Sequence, residues 1–153
     1  MNVIGQIKAQ FKDKIEIFEK SKCRIYVTVA KEDAKALVRY MFREMGARFS
    51  IASGIDTRPG IEIIYHMAFD KAGILVNVRT LVAKPELSMP TFTDFLPAAD
   101  WIEREIHELL GVNFLGHPNL ATLLLADDWE AGVFPLRKQS FDSEEESAER
   151  GYQ

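Results

Sequence analysis

The stretch Cys23-Arg24-Ile25-Tyr26-Val27-Thr28-Val29, with Ala34-Lys35-Ala36-Leu37-Val38-Arg39-Tyr40-Met41-Phe42-Arg43-Glu44-Met45-Gly46 after it, decides the fold class, because the hydrophobic period changes along it. In the first part Cys23, Ile25, Val27 and Val29 fall on one face and Arg24, Tyr26 and Thr28 on the other, the alternation of a strand. In the second part Ala34, Leu37, Val38, Met41, Phe42 and Met45 recur at i, i+3, i+4 spacing, and Gly46 stands where a helix takes a left-handed terminal residue.

Upstream, Val3, Ile4, Ile7 and Phe11 predict a short amphipathic helix, Lys14-Ile15-Glu16-Ile17-Phe18 alternates as a strand, and Lys20-Ser21-Lys22 reads as a hairpin turn. Downstream, strands are expected around residues 48–55, 61–69 and 74–82, separated by Thr57-Arg58-Pro59-Gly60 and Asp70-Lys71-Ala72-Gly73. The simplest layout is an antiparallel meander with the 32–46 helix on one face. Pro85, Pro90 and Pro97 then break regular structure, so residues 83–97 are expected as extended loop with at most one helical turn. The fold class is therefore α+β, a mainly antiparallel sheet with helices packed on one face, followed by a helix and an extended C-terminal arm. The expected division is 1–82 as the α+β domain, 83–138 as loop, helix and arm, and 139–153 as a solvated acidic tail rich in glutamate.

Composition excludes several functions. A chain of 153 residues, 47% hydrophobic, can bury one ordinary core. A formal charge of −4 gives no footprint for nucleic acid. Cys23 is the only cysteine, so the chain forms no internal disulfide and cannot supply the ligands of an iron–sulfur cluster. No run of about 18 apolar residues is present, and the N-terminus lacks the layout of a signal peptide, so membrane contact is expected only through partners.

The densest chemistry lies in residues 94–138. Ala98, Ile102, Ile106, Leu109 and Leu110 form the stripe of an amphipathic helix, with Pro97 at its first turn and Gly111 past its end. Glu103, Arg104, His107 and Glu108 share its polar side, with Glu103 to His107 and Arg104 to Glu108 at i, i+4 spacing. These residues either brace an exposed helix or form a partner-facing polar network. Leu120, Leu123 and Leu124 suggest a further helix over residues 118–126, and residues 132–138 read as an irregular arm lying on something else.

A metal hydrolase using His107 and His117 is the sharpest rival reading. His107-Glu108 opens like a zinc-hydrolase signature, but position 111, where the second histidine belongs, is glycine. A variant set of Glu103, His107 and His117 reaches past the helix end, and His117-Pro118 reads more simply as a structural turn. His66 reads as a partly exposed structural histidine. No nucleophile elbow or phosphate-binding loop is present. A soluble regulatory binding module is the remaining alternative.

The order Glu103-Arg104-Glu105, Gly111, Phe114, Gly116-His117-Pro118, Leu120, Leu123-Leu124, Asp128-Trp129, Gly132 and Pro135-Leu136-Arg137-Lys138 resembles the signature of the 30-kilodalton subunit family of respiratory complex I, a module also found in energy-converting membrane-bound [NiFe] hydrogenases. The resemblance covers the chain strongly after Asp94 and by architecture before it. It departs at Glu108, where the family commonly has Asp, at Leu110, where an aromatic is usual, and at Gly132-Val133-Phe134-Pro135 and Gln139. These departures lean toward a hydrogenase-like relative over standard complex I.

The resemblance implies a non-catalytic subunit with no cofactor of its own, in the cytoplasm-facing peripheral arm of an ion-translocating membrane complex. It would pack against a hydrogenase-type large subunit and iron–sulfur subunits, which hold the iron–sulfur clusters and any NiFe centre. Glu103, Arg104, Glu105, His117, Pro118, Pro135, Leu136, Arg137 and Lys138 would then be structural and interface residues, joined by His107 from the polar side of the helix. The electron donor and acceptor are not legible, because that chemistry sits in other subunits.

Overall fold

The computed structural model describes residues 2–138. The acidic tail expected at 139–153 lies outside them. Helix α1 (Val3–Phe11) opens the chain, and strands β1 (Ile15–Ser21) and β2 (Arg24–Val29) form a hairpin. Its turn falls at residues 22 and 23, so the cysteine expected in a strand is exposed at the turn. Helix α2 (Lys31–Arg43) leads to β3 (Arg48–Thr57), β4 (Gly60–Phe69) and β5 (Ile74–Ala83). Then come β6 (Ser88–Pro90), α3 (Asp100–Leu110) and β7 (Asn113–Leu115), with β6 and β7 paired in parallel.

The sheet order is β1-β2-β5-β4-β3. The three strands from β3 to β5 form the expected meander, but β2 joins β5 in parallel. The physical reason for this parallel pair is α2. It carries the chain across the helical layer, so β3 forms at the far edge and the meander returns β5 to the side of β2.

Alternation sets the layers. Ile61, Ile63, Tyr65, Met67 and Phe69 of β4 are buried under the helices, while Glu62, Ile64, His66 and Ala68 face the other way. The core continues through Leu87, Met89, Phe92, Phe95 and Leu96 to Ile106, Leu110 and Phe114, so α3 and the connector before it share the core of the sheet. Tyr65 stacks on Phe92 at 4.5 Å between ring centroids. Helix α3 seats on β3 where Gly54 has no side chain, since a Cβ there would lie 2.5 Å from Leu110 Cδ1. Among the described residues no helix is long and apolar enough to cross a membrane.

Candidate functional site

Helix α3 follows a 3-10 turn at Pro97–Ala99 and ends at Gly111, whose φ of 79° suits a residue without Cβ. Its polar residues are aimed at the segments around it. Glu103 is fully buried, with Oε1 accepting the Phe92 N–H at 2.8 Å and Oε2 accepting the Thr91 hydroxyl at 2.5 Å. Burial pushes the Glu103 carboxyl up to about 7, against the opposing pull of those two donors and of Lys35. Burial, and after it the Glu103 charge, pushes the Tyr65 phenol well above its usual range.

The expected i, i+4 pairs do not form. Arg104 donates from Nε to the Ala121 carbonyl at 3.0 Å and from Nη2 to the Thr122 carbonyl at 2.8 Å. His107 Nδ1 donates to the Val112 carbonyl at 2.8 Å. Glu108 accepts the Leu124 N–H at 2.7 Å and the Leu123 N–H at 2.9 Å, with Leu125 N at 3.4 Å. The N–H groups of Leu123, Leu124 and Leu125 go to the Glu108 carboxylate and not to carbonyls four residues back, as an α-helix through this segment would require. The helix expected over residues 118–126 is therefore replaced by irregular backbone wrapped on α3.

His117 does lock a turn. Its Nδ1 accepts the Asn119 N–H at 3.0 Å, so Nε2 carries the proton and faces Asp100 Oδ1 at 3.1 Å. Glu103 Oε2 is 3.9 Å from the same nitrogen. The trio Glu103, His107 and His117 does not converge, because His107 Nδ1 is committed to the Val112 carbonyl. Among the described residues no three metal-ligating side chains form a group.

The arm expected to lie on something other than itself lies on α3 and β3. Leu136 N–H donates to the Leu109 carbonyl at 3.1 Å and Arg137 Nε to the Leu110 carbonyl at 2.9 Å, satisfying acceptors that a helix C-terminus leaves open. The Arg137 guanidinium also covers the Phe134 ring at 4.3 Å. Lys138 N–H donates to Asp56 Oδ2 at 2.8 Å, and Lys84 Nζ lies 2.9 Å from Asp56 Oδ1. Burial raises the Asp56 carboxyl, but these two donors together outweigh it and hold the group below its usual range. Pro118 and Pro135 are exposed, and Glu105 is half-buried beside β3.

Sequence reasoning missed one polar row on the other sheet face. Ser53 Oγ lies 3.1 Å from His66 Nε2, His66 Nδ1 lies 2.7 Å from Asn77 Oδ1, and Asn77 Nδ2 donates to the Ile25 carbonyl at 3.0 Å. It braces four strands, and finding it requires the strand register. Thr91 and Asp56 were missed likewise, since their partners are 12 and 82 positions away in the chain.

Comparison with known proteins identifies the family and the fold. Residues 27–146 match the family model described as "Respiratory-chain NADH dehydrogenase, 30 Kd subunit". Formate hydrogenlyase subunit 5 of Escherichia coli K12 is 33% identical over 80% of this chain, which spans 22% of that protein. An NADH-quinone oxidoreductase subunit of Pseudomonas fluorescens is 30% identical over 58% of this chain and 16% of its own length. An NADH-quinone oxidoreductase subunit of Citrifermentans bemidjiense is 25% identical over 88% of this chain and 85% of its own length. The fold matches a chain of the membrane-bound sulfane sulfur reductase, an archaeal respiratory membrane complex, with a TM-score of 0.78 and 24% identity over 99% of this chain and 94% of that one. It also matches the trypsin-resistant fragment (1-134) of Nqo5, with a TM-score of 0.63 and 22% identity over 77% of this chain and 96% of that one. The chain belongs to the family of the 30-kilodalton subunit of respiratory-chain NADH dehydrogenase.

Proposed function

We propose that this chain is a non-catalytic assembly subunit in the cytoplasm-facing peripheral arm of a membrane-bound, ion-translocating oxidoreductase, packed against a hydrogenase-type large subunit. One observation carries the reading. Formate hydrogenlyase subunit 5 contains a segment 33% identical to this chain, and that segment is only 22% of its length. There the module is covalently joined to a polypeptide several times longer. In this protein the same module would pack against the counterpart of that remainder.

The internal organisation fits such a role. The polar groups of α3 hold loops in place, so the chain offers a prearranged surface whose ordering cost is already met on folding. Iron–sulfur clusters and any NiFe centre would sit in the partner subunits, and membrane contact would pass through them. Purification of the native complex through a tag on this chain tests the proposal. Recovery of a hydrogenase-type large subunit with iron–sulfur subunits is expected. Recovery of the chain alone from gently solubilised membranes and cytosol would overturn it.

A further inference from the structure

An apolar cleft runs between edge strand β3 and helix α3, and Glu105 stands in its middle. One end, of about 560 Å³, is lined by Ile51, Trp101, Ile102 and Leu124, and the other by Ile51, Ile102 and Leu136. Ile51, Ile102 and Glu105 line both ends, so the two are continuous. The rim is open, with Trp101 68%, Leu124 62%, Leu136 57% and Ile51 50% exposed. Contiguous exposed apolar side chains of this size mark an interaction surface, and tryptophan is a frequent anchor in one.

Charge identifies the occupant. Among the described residues Glu105 is the only charged one lining the cleft, and it makes no hydrogen bond or ion pair there. Its neighbours in sequence are engaged, Glu103 with Thr91 and Phe92, and Arg104 with two loop carbonyls. Covering an apolar cleft strips water from a carboxylate, which is unfavourable unless the covering group supplies a cation. The segment that follows the arm is a poor candidate. It carries Asp142, Glu144, Glu145, Glu146 and Glu149 against Arg150, so its charge has the same sign as Glu105.

We propose that this cleft seats a large-subunit segment in which an arginine or lysine is flanked by apolar side chains, with the cation on Glu105 and the apolar groups on Trp101, Ile51 and Leu124. The proposal rests on the assembly reading above and locates its contact. A guanidinium there can also lie over the Trp101 ring.

The test uses the native complex with a photo-crosslinking benzoylphenylalanine in place of Trp101, followed by peptide mass spectrometry. The expected cross-link is to a large-subunit peptide holding Arg or Lys between apolar residues. Glu105→Arg should lower recovery of the large subunit by about tenfold, and reversing the cross-linked partner cation to Glu should restore it. The purified Glu105→Arg chain should melt like the wild type, because Glu105 makes no internal hydrogen bond or ion pair that the substitution would break. Cross-links to residues 139–153 or to a second copy would overturn the proposal, as would unchanged recovery with Glu105→Arg. An intact wild-type complex with no cross-link from position 101 sinks the cleft alone. Failure of the wild type to recover a large subunit sinks the assembly reading itself.

Discussion

Glu103 makes the stability of this fold depend on pH, and glutamine at that position should remove the dependence. In the fold the carboxyl keeps its proton up to about 7, against a value near 4.5 for a solvated glutamate. Between those values the unfolded chain binds fewer protons than the native one, so stability falls as pH rises. The contribution is complete below about pH 4.5 and is lost as pH rises through 7. The whole span is roughly 3 kcal/mol. About 2.5 kcal/mol of it falls between pH 5 and pH 8.

Glutamine fits the same place without titrating. Its Oε1 accepts the Phe92 N–H, and its amide donates to the Thr91 hydroxyl oxygen, whose own proton turns to Thr93 Oγ1 at 2.8 Å. Urea unfolding followed by tryptophan fluorescence, on wild type and Glu103→Gln at pH 5, 6, 7 and 8, reads the effect. The difference between the two should grow by about 2.5 kcal/mol in favour of Glu103→Gln from pH 5 to pH 8. Lys35, Asp100, His117 and Tyr65 surround the site and are the same residues in both proteins. A difference that does not move with pH refutes the reasoning.

Three further perturbations address the segments around α3. Glu108→Ala removes the acceptor of the Leu123 and Leu124 N–H groups and should cost about 3 kcal/mol. It should also speed hydrogen exchange across residues 121–125, and unchanged exchange there would count against the anchoring role. Gly111→Ala must hold a φ of 79° and drives a Cβ into the Arg137 guanidinium and Phe134 ring, so a loss of about 2 kcal/mol or more is expected. An unshifted thermal midpoint would contradict it. Arg137→Ala, by removing the bond to the Leu110 carbonyl and the cover on Phe134, should destabilise the isolated chain by roughly 1–2 kcal/mol. Urea unfolding checks this, and no change would mean that the arm is not bound to its own domain.

Much of the fold was legible because each half-buried element states its period. Ile61, Ile63, Tyr65, Met67 and Phe69 alternate in sequence and are buried in space, and the α2 stripe points into the same core. Alternation reports which face is buried and not which strand lies alongside. The parallel pairing of β2 with β5 and the row from Ser53 to Asn77 were therefore invisible. The same limit explains the false helix over residues 118–126. Leu120, Leu123 and Leu124 carry a helical spacing, but a carboxylate 15 positions upstream of Leu123 competes for the N–H groups that a helix would use.

That competition explains why the polar side of α3 is so dense. Of residues 111–138, only 113–115 lie in a strand, and the rest of that backbone must find partners for its N–H and C=O groups elsewhere. Arg104 supplies donors to the Ala121 and Thr122 carbonyls, Glu108 accepts from Leu123 and Leu124, and His107 donates to Val112. The free carbonyls at the helix end take N–H groups from the returning arm. The spacing of the signature thus records the path of the loops over the helix. A residue satisfied inside the fold gains little by meeting a partner, because the internal bond would first have to break. The residue with most to gain from an external cation is the one with no bond to lose, which among Glu103, Glu105 and Glu108 is Glu105.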